Sequence, residues 1–145
     1  MNLSENFTLE ELTASETAAR HGIDNSPPIS LDVNMRHLAD GLEAVRVLLG
    51  NKPIHINSGY RCAELNKLVG GQPKSAHTLG LAADIICPEF GPPRKVCQAI
   101  QKSALGYEQC ILEFNAWCHI AFAAPGLFAK RENLIIDSGG ARAWA

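Results

Sequence analysis

No stretch of this sequence reaches the ~18 consecutive apolar residues that a membrane-spanning helix needs. Its start, MNLSENFTLEELTASETAARHGIDN, carries Glu5, Glu10 and Glu11 and lacks a basic head followed by an apolar run. No secretory signal is expected from it. Charge of one sign is missing as well. Thirteen Lys and Arg against fifteen Asp and Glu leave a net charge of -2, which excludes an electrostatic nucleic-acid binder. Repeats of fixed period, low-complexity tracts and a Gly/Ser linker are absent too. Cysteine is sparse and odd in number. Five thiols fall far below the density of a disulfide scaffold, and at least one must lack an intrachain partner. A reducing compartment is therefore expected, with Cys62, Cys87, Cys97, Cys110 and Cys118 acting as small apolar residues.

What remains is a chain of 145 residues, 46% hydrophobic, that suits one domain burying roughly two-thirds of its extended surface. Thr8 to His21 reads as a helix, with Thr8 as N-cap and Glu11 completing a capping box. Pro27 and Pro28 stop regular structure. Leu31, Met35, Leu38, Leu42, Val45 and Leu49 then recur at helical steps, with Ser30 to cap the start and Gly50 the end. That stripe is core. Pro53 to Asn57 alternates as a strand, Arg61 to Val69 is a short helix ended by Gly70 and Gly71, and Leu81 to Cys87 is a buried strand. Arg94 to Ser103 is a helix with Val96, Ala99 and Ile100 inward. Two strands, Gln109 to Glu113 and Trp117 to Phe122, stand at hairpin spacing, and Leu134 to Ile136 is a last short strand. The pattern is α+β, a small, mainly antiparallel sheet with helices packed on it.

Several catalytic signatures are absent. There is no G-x-S-x-G elbow, no phosphate-cradling loop and no C-x-x-C pair. The histidines and acids say more. Ser75-Ala-His77-Thr-Leu-Gly80-Leu-Ala-Ala-Asp84 places an imidazole in a Gly-bounded loop and a carboxylate inside an apolar strand. A carboxylate flanked by Ala82, Ala83, Ile85 and Ile86 is buried and needs a compensating cation or several donors. Gly80 lets the chain turn so that His77 and Asp84 face one place. His119 lies in a second apolar strand. Two imidazoles and a carboxylate are the ligand set of catalytic zinc, with a fourth position open to water. The spacing alone equally admits a core His with an Asp capping a loop. His21, His37 and His55 are not expected to bind metal.

The run Ser58-Gly-Tyr-Arg61, Leu65-Asn66, Val69-Gly-Gly71, the S-x-H-x-x-G-x-A-x-D element from Ser75 to Asp84 and Trp117-Cys-His119-Ile resembles the zinc D-Ala-D-Ala carboxypeptidase family. Phage L-alanyl-D-glutamate endolysins and D-Ala-D-Ala dipeptidases belong to the same group. Phe7-Thr8-Leu9 and Gly22-Ile23-Asp24-Asn25 resemble its phage and prophage branch. The resemblance covers about residues 7 to 123. It implies a hedgehog/DD-peptidase-like fold with the zinc site on the sheet face, Zn2+ as cofactor, and His77, Asp84 and His119 as its ligands. It also implies that Arg61 polarises the scissile carbonyl or holds the oxyanion, and that Ser75 lies at the site with a role in binding substrate. Trp117 reads as a wall of the site or as core. The competing readings are that Arg61 starts a helix while pairing with Glu64, and that Ser75 is a turn residue.

One departure stands out. Family members carry an acid or His three residues before the last zinc-binding His, where this chain has Ala116. The nearest carboxylate is Glu113. If 114–116 form the hairpin loop, Glu113 opposes Trp117 and shares a face with His119, a diagonal neighbour ~7–8 Å away between Cα atoms. Glu113 is the expected general base, against the alternative of a solvated hairpin residue.

The expectation is one zinc peptidase domain over 1–145, with a helical N-terminal segment, 1–28, packed on it and a C-terminal extension, 124–145. It cleaves peptidoglycan stem peptide next to a D-amino acid, as a D-Ala-D-Ala carboxypeptidase or an endolysin-type endopeptidase. The rival, favoured by Ala116, is a wall-binding or virion structural module that keeps zinc for structure. A monomer is favoured, and any wall affinity must come from the catalytic face. The expected route is synthesis in the bacterial cytoplasm and action at the wall or within a phage particle.

Overall fold

A computed structural model describes residues 1–144. The N-terminal capping box forms as its residues dictate: Thr8 Oγ1 accepts from the Glu11 N–H, and Glu11 reaches back to the Thr8 N–H. The helix it starts is short. α1 (Leu9–Thr13) ends at Ala14, whose backbone is extended, and Ser15 caps a separate α2 (Glu16–Arg20). Two short helices thus replace the single one expected over Thr8 to His21. The longest helix, α3 (Asp32–Leu48), buries Met35, Leu38, Leu42 and Val45 along one stripe. Ser30 does not cap it. A 3-10 turn over Ile29–Leu31 leads in instead, and no side chain caps the first turn.

β1 (His55–Ser58), α4 (Ala63–Leu68), β2 (Ala82–Ile86), α5 (Pro93–Lys102), β3 (Gln109–Glu113) and β4 (Trp117–Ala121) follow, each within a residue or two of its expected place. β5 (Glu132–Asp137) is longer than expected, and β6 (Gly140–Ala143) was not foreseen. Six strands make one sheet in the order β1-β2-β4-β3-β5-β6. All pairs are antiparallel except β3 with β5, so the sheet is mixed. The chain returns from β4 over 122–131 to lay β5 along the far side of β3, and that crossing makes the pair parallel.

Strand alternation gives the central strands two functions. Ala83, Ile85, Cys110, Leu112, Cys118 and Ile120 belong to the hydrophobic core with α3 and α5 residues. Asp84, Ile111, Glu113, Trp117 and His119 take the alternate positions. Cys97, Cys110 and Cys118 meet in that core, with Sγ of Cys110 and Cys118 3.8 Å apart. Hydrogen bonds to Cys110 and Cys97, then burial, push the Cys118 thiol up and keep it protonated. The three sulfur atoms lie within 4.8 Å of one another, close enough to share a metal ion, and hydrogen bonds from Cys118 and Cys97 pull the Cys110 thiol down to about 5.

All five cysteines are free, and only Cys62 is not fully buried. A thiol reagent is therefore expected to modify one group quickly in the native protein and five after denaturation. Rapid modification of two or more groups would show that the core opens beneath α5.

Candidate active site

The ladder lines up the proposed ligands before any side chain is considered. Asp84 pairs with His119 across β2 and β4, and His119 pairs with Ile111 across β4 and β3. His77 arrives from a 3-10 turn over Ala76–Leu79. Ser75 caps that turn by accepting the His77 N–H at 3.2 Å, and Gly80 ends it. Gly80 is at φ +70, and a Cβ there would meet the Met35 sulfur at 2.6 Å, so only glycine turns the chain this tightly against α3.

His77 Nε2, Asp84 Oδ1 and His119 Nδ1 converge. Asp84 Oδ1 lies 3.0 Å from His119 Nδ1 and 3.3 Å from His77 Nε2, and all three residues are buried. The His77 Nδ1–H donates to the Gly59 carbonyl at 2.7 Å. That bond fixes the tautomer and leaves the lone pair of Nε2, which has no hydrogen-bond partner, aimed at a carboxylate oxygen. Two lone pairs facing each other in a dry site repel unless a cation lies between them. Burial lowers the His77 pKa, and the neighbouring Asp84 carboxylate opposes this only in part. The imidazole is held in its neutral form, the one able to bind a metal. Burial would raise the Asp84 pKa, but the contact with His119, then the proximity of His77, outweighs it and holds the carboxylate ionised, far below its usual range. Two imidazoles and one carboxylate whose ligand atoms lie within 4.8 Å of one another fit a divalent zinc ion with three protein ligands.

Glu113 and Arg61 flank this cluster. Glu113 pairs with Trp117 across the hairpin, and its Oε1 lies 3.8 Å from His119 Nδ1. Burial and then the Asp84 charge raise its pKa, so it is a carboxylate readier than most to take a proton. Arg61 has its Nε buried with no acceptor, and burial lowers its pKa against the pull of Asp84 and Glu113. Among the described residues it makes no ion pair with Glu64. Trp117 is half-buried, stands 5.9 Å from the Phe114 ring, and keeps a buried, unpartnered Nε1–H beside Glu113. Ala116 sits in the loop and contributes only an N–H to the Glu113 carbonyl.

The other histidines lie elsewhere. His21 bonds within its own helix end, the His37 Nε2–H donates to the Ala123 carbonyl, and His55 is exposed at the sheet edge.

The family model for peptidase M15 matches residues 5–121. The chain belongs to the M15 peptidases. It is also similar to the zinc D-Ala-D-Ala carboxypeptidase of Streptomyces albus G, with 46% identity over 44 residues. That stretch covers 30% of this chain and spans 17% of the relative's length. The M15 match takes in His77, Asp84 and His119 with Glu113 and Arg61, and stops at the end of β4, before β5 and β6.

Asn25 was not singled out for a role in the sequence. It is a buried loop residue that touches the segment carrying Arg61. Its signals in the sequence are its place in Gly22-Ile23-Asp24-Asn25, which resembles the phage and prophage branch without implying a role for it, and a carboxamide ahead of two prolines, a pattern common in ordinary turns.

Proposed function

We propose that this M15 peptidase hydrolyses a stem peptide of bacterial peptidoglycan at a bond next to a D-amino acid, as a D-Ala-D-Ala carboxypeptidase or an endolysin-type endopeptidase. The observation that carries it is the convergence of His77, Asp84 and His119 with one further carboxylate and one buried guanidinium at their side. Zinc is the cofactor, and His77 Nε2, Asp84 Oδ1 and His119 Nδ1 would hold it. Bound there, zinc supplies a Lewis acid that polarises a carbonyl and lowers the pKa of water from ~15.7 towards ~7.

The chain's own residues do the rest. Glu113 takes the proton of the attacking water on a carboxylate oxygen and returns it to the leaving amine. Arg61 donates to the oxygen that becomes negative in the tetrahedral state. Its buried Nε already lacks a partner, so no hydrogen bond must break first. Ser75 holds His77 by capping its turn, and its hydroxyl proton is left for substrate. Trp117 and Phe114 form an aromatic wall beside the general base. The expected place of action is the cell wall, as a phage-type lysin. No helix among the described residues is long and apolar enough to cross a membrane. Glu113 supplies the carboxylate that Ala116 cannot, so the structural-module alternative has no observation of its own here.

Purified peptidoglycan treated with the zinc-loaded protein should release new amino termini, and mass spectrometry of the fragments should assign the bond to D-Ala-D-Ala or L-Ala-D-Glu. Chelation should abolish release and added zinc restore it. Undiminished release after complete metal removal, or none from any wall type with zinc bound, would overturn the proposal.

A further inference from the structure

We infer that Asn25 is a positioning residue for Arg61, so that the N-terminal segment is a working part of the site. The inference rests on the role given to Arg61 above. The guanidinium has no anchor of its own, since its Nε is buried without an acceptor. Its aim must then come from its backbone. That backbone lies in the irregular stretch 59–62 between β1 and α4, which lacks a ladder or helix to hold it.

Asn25 brackets Arg61 on both sides. Its Oδ1 accepts from the Cys62 N–H at 2.8 Å, and its Nδ2 donates to the Tyr60 carbonyl at 3.0 Å. The same Nδ2 donates to the Thr13 carbonyl at the end of α1 at 2.9 Å. The Tyr60 N–H donates to the Leu12 carbonyl at 2.7 Å, tying the stretch to α1 a second time. A Cβ on Gly59 would collide with that same Leu12 oxygen, so the two segments touch backbone to backbone. The other side of the stretch meets the metal ligands. The Arg61 N–H donates to the His77 carbonyl at 3.1 Å, and His77 Nδ1–H donates to Gly59.

Residues 59–62 are therefore clamped between Asn25 with α1 and the turn that carries His77. His77 has further supports in Ser75 and Gly80, whereas the N-terminal side of Arg61 has Asn25 and the Leu12 bond. Loss of Asn25 should let Arg61 drift while the metal ligands stay in place.

The experiment is a cycle of wild type, Asn25→Ala, Arg61→Ala and the double variant, each zinc-loaded, reading kcat, KM and zinc per chain. Asn25→Ala is expected to lose ~10-fold or more of kcat, with KM and zinc content little changed, as a small misplacement of an oriented group does. In the Arg61→Ala background the same substitution should cost nothing further, because its effect runs through the absent guanidinium. Asn25→Asp keeps the acceptor for Cys62 and loses the donors. It serves the same cycle should the alanine variant fail to fold, and its loss must also vanish without Arg61. Additive losses in the double variant, or an unchanged kcat in a folded Asn25 variant, would overturn the inference while leaving the Arg61 role intact. A full-rate Arg61→Ala would overturn that role, and this inference with it.

Discussion

Glu113→Gln is expected to bind one zinc per chain and to lose at least ~100-fold of kcat on a peptidoglycan peptide, the lower end of what a positioned general base contributes. The carboxamide matches the carboxylate in shape, so the cross-strand pair with Trp117 and the packing around it survive. What it cannot do is accept a proton. Glu113 stands 3.8 Å from His119 Nδ1, too far to be its hydrogen-bond partner and close enough to serve a water beside the metal ligands. The control is Ala116→Glu in the Glu113→Gln background, which puts an acid where other members of the family carry theirs. Partial recovery there would show that the site accepts a base from either position. Full turnover of Glu113→Gln would clear Glu113 of the role.

Asp84→Ala should abolish both zinc binding and turnover. Asp84 is the carboxylate between the two imidazoles, and His77 Nε2 lies 3.3 Å from its oxygen with no proton to offer. Without the carboxylate, two nitrogen donors remain, and a site that loses a ligand holds zinc far more weakly. The measurement is zinc per chain together with the thermal midpoint, with and without added metal. At zinc a hundredfold above its Kd, a folded-state site gains about 2.7 kcal/mol. For a chain of this size that raises the wild-type midpoint by roughly 5 to 10 °C. The variant should show no such rise. A variant that keeps one tightly bound zinc and the same rise would remove Asp84 from the ligand set.

Much of this arrangement was legible in the residues, for reasons that can be named. The stripe from Leu31 to Leu49 had one reading because its period admits only a helix. The β3–β4 hairpin was legible because two apolar runs stood three residues apart, and it places Glu113 beside His119. Other features had little or no local signal. The division of α1 from α2 has only a weak one, Ser15 as the N-cap of α2, and the Tyr60 and Asn25 bonds hold the end of α1 from across the fold. β6, Gly140–Ala143, is exposed along its whole length and shows no alternation to read. The parallel pairing of β5 with β3 depends on where the chain returns after β4, which no spacing encodes. Asn25 was hidden for the same reason. Its three partners lie 12 to 37 residues away in sequence.

The tip of the β3–β4 hairpin acts as a ruler. Phe114 and Asn115 both take left-handed backbone, at φ 53 and 54, and the Ala116 N–H closes the turn onto Glu113. Asn tolerates that conformation and Phe rarely adopts it, so the short connection is held against its own preference. Because side chains alternate along a strand, one residue more or less at this tip would turn Glu113 to the opposite face while His119 stayed put. Lengthening by two would restore the face but slide the carboxylate along the ladder. The loop's length, rather than its composition, thus sets where the carboxylate stands relative to His119. An engineer reshaping this rim should substitute Phe114 and Asn115 without altering their number.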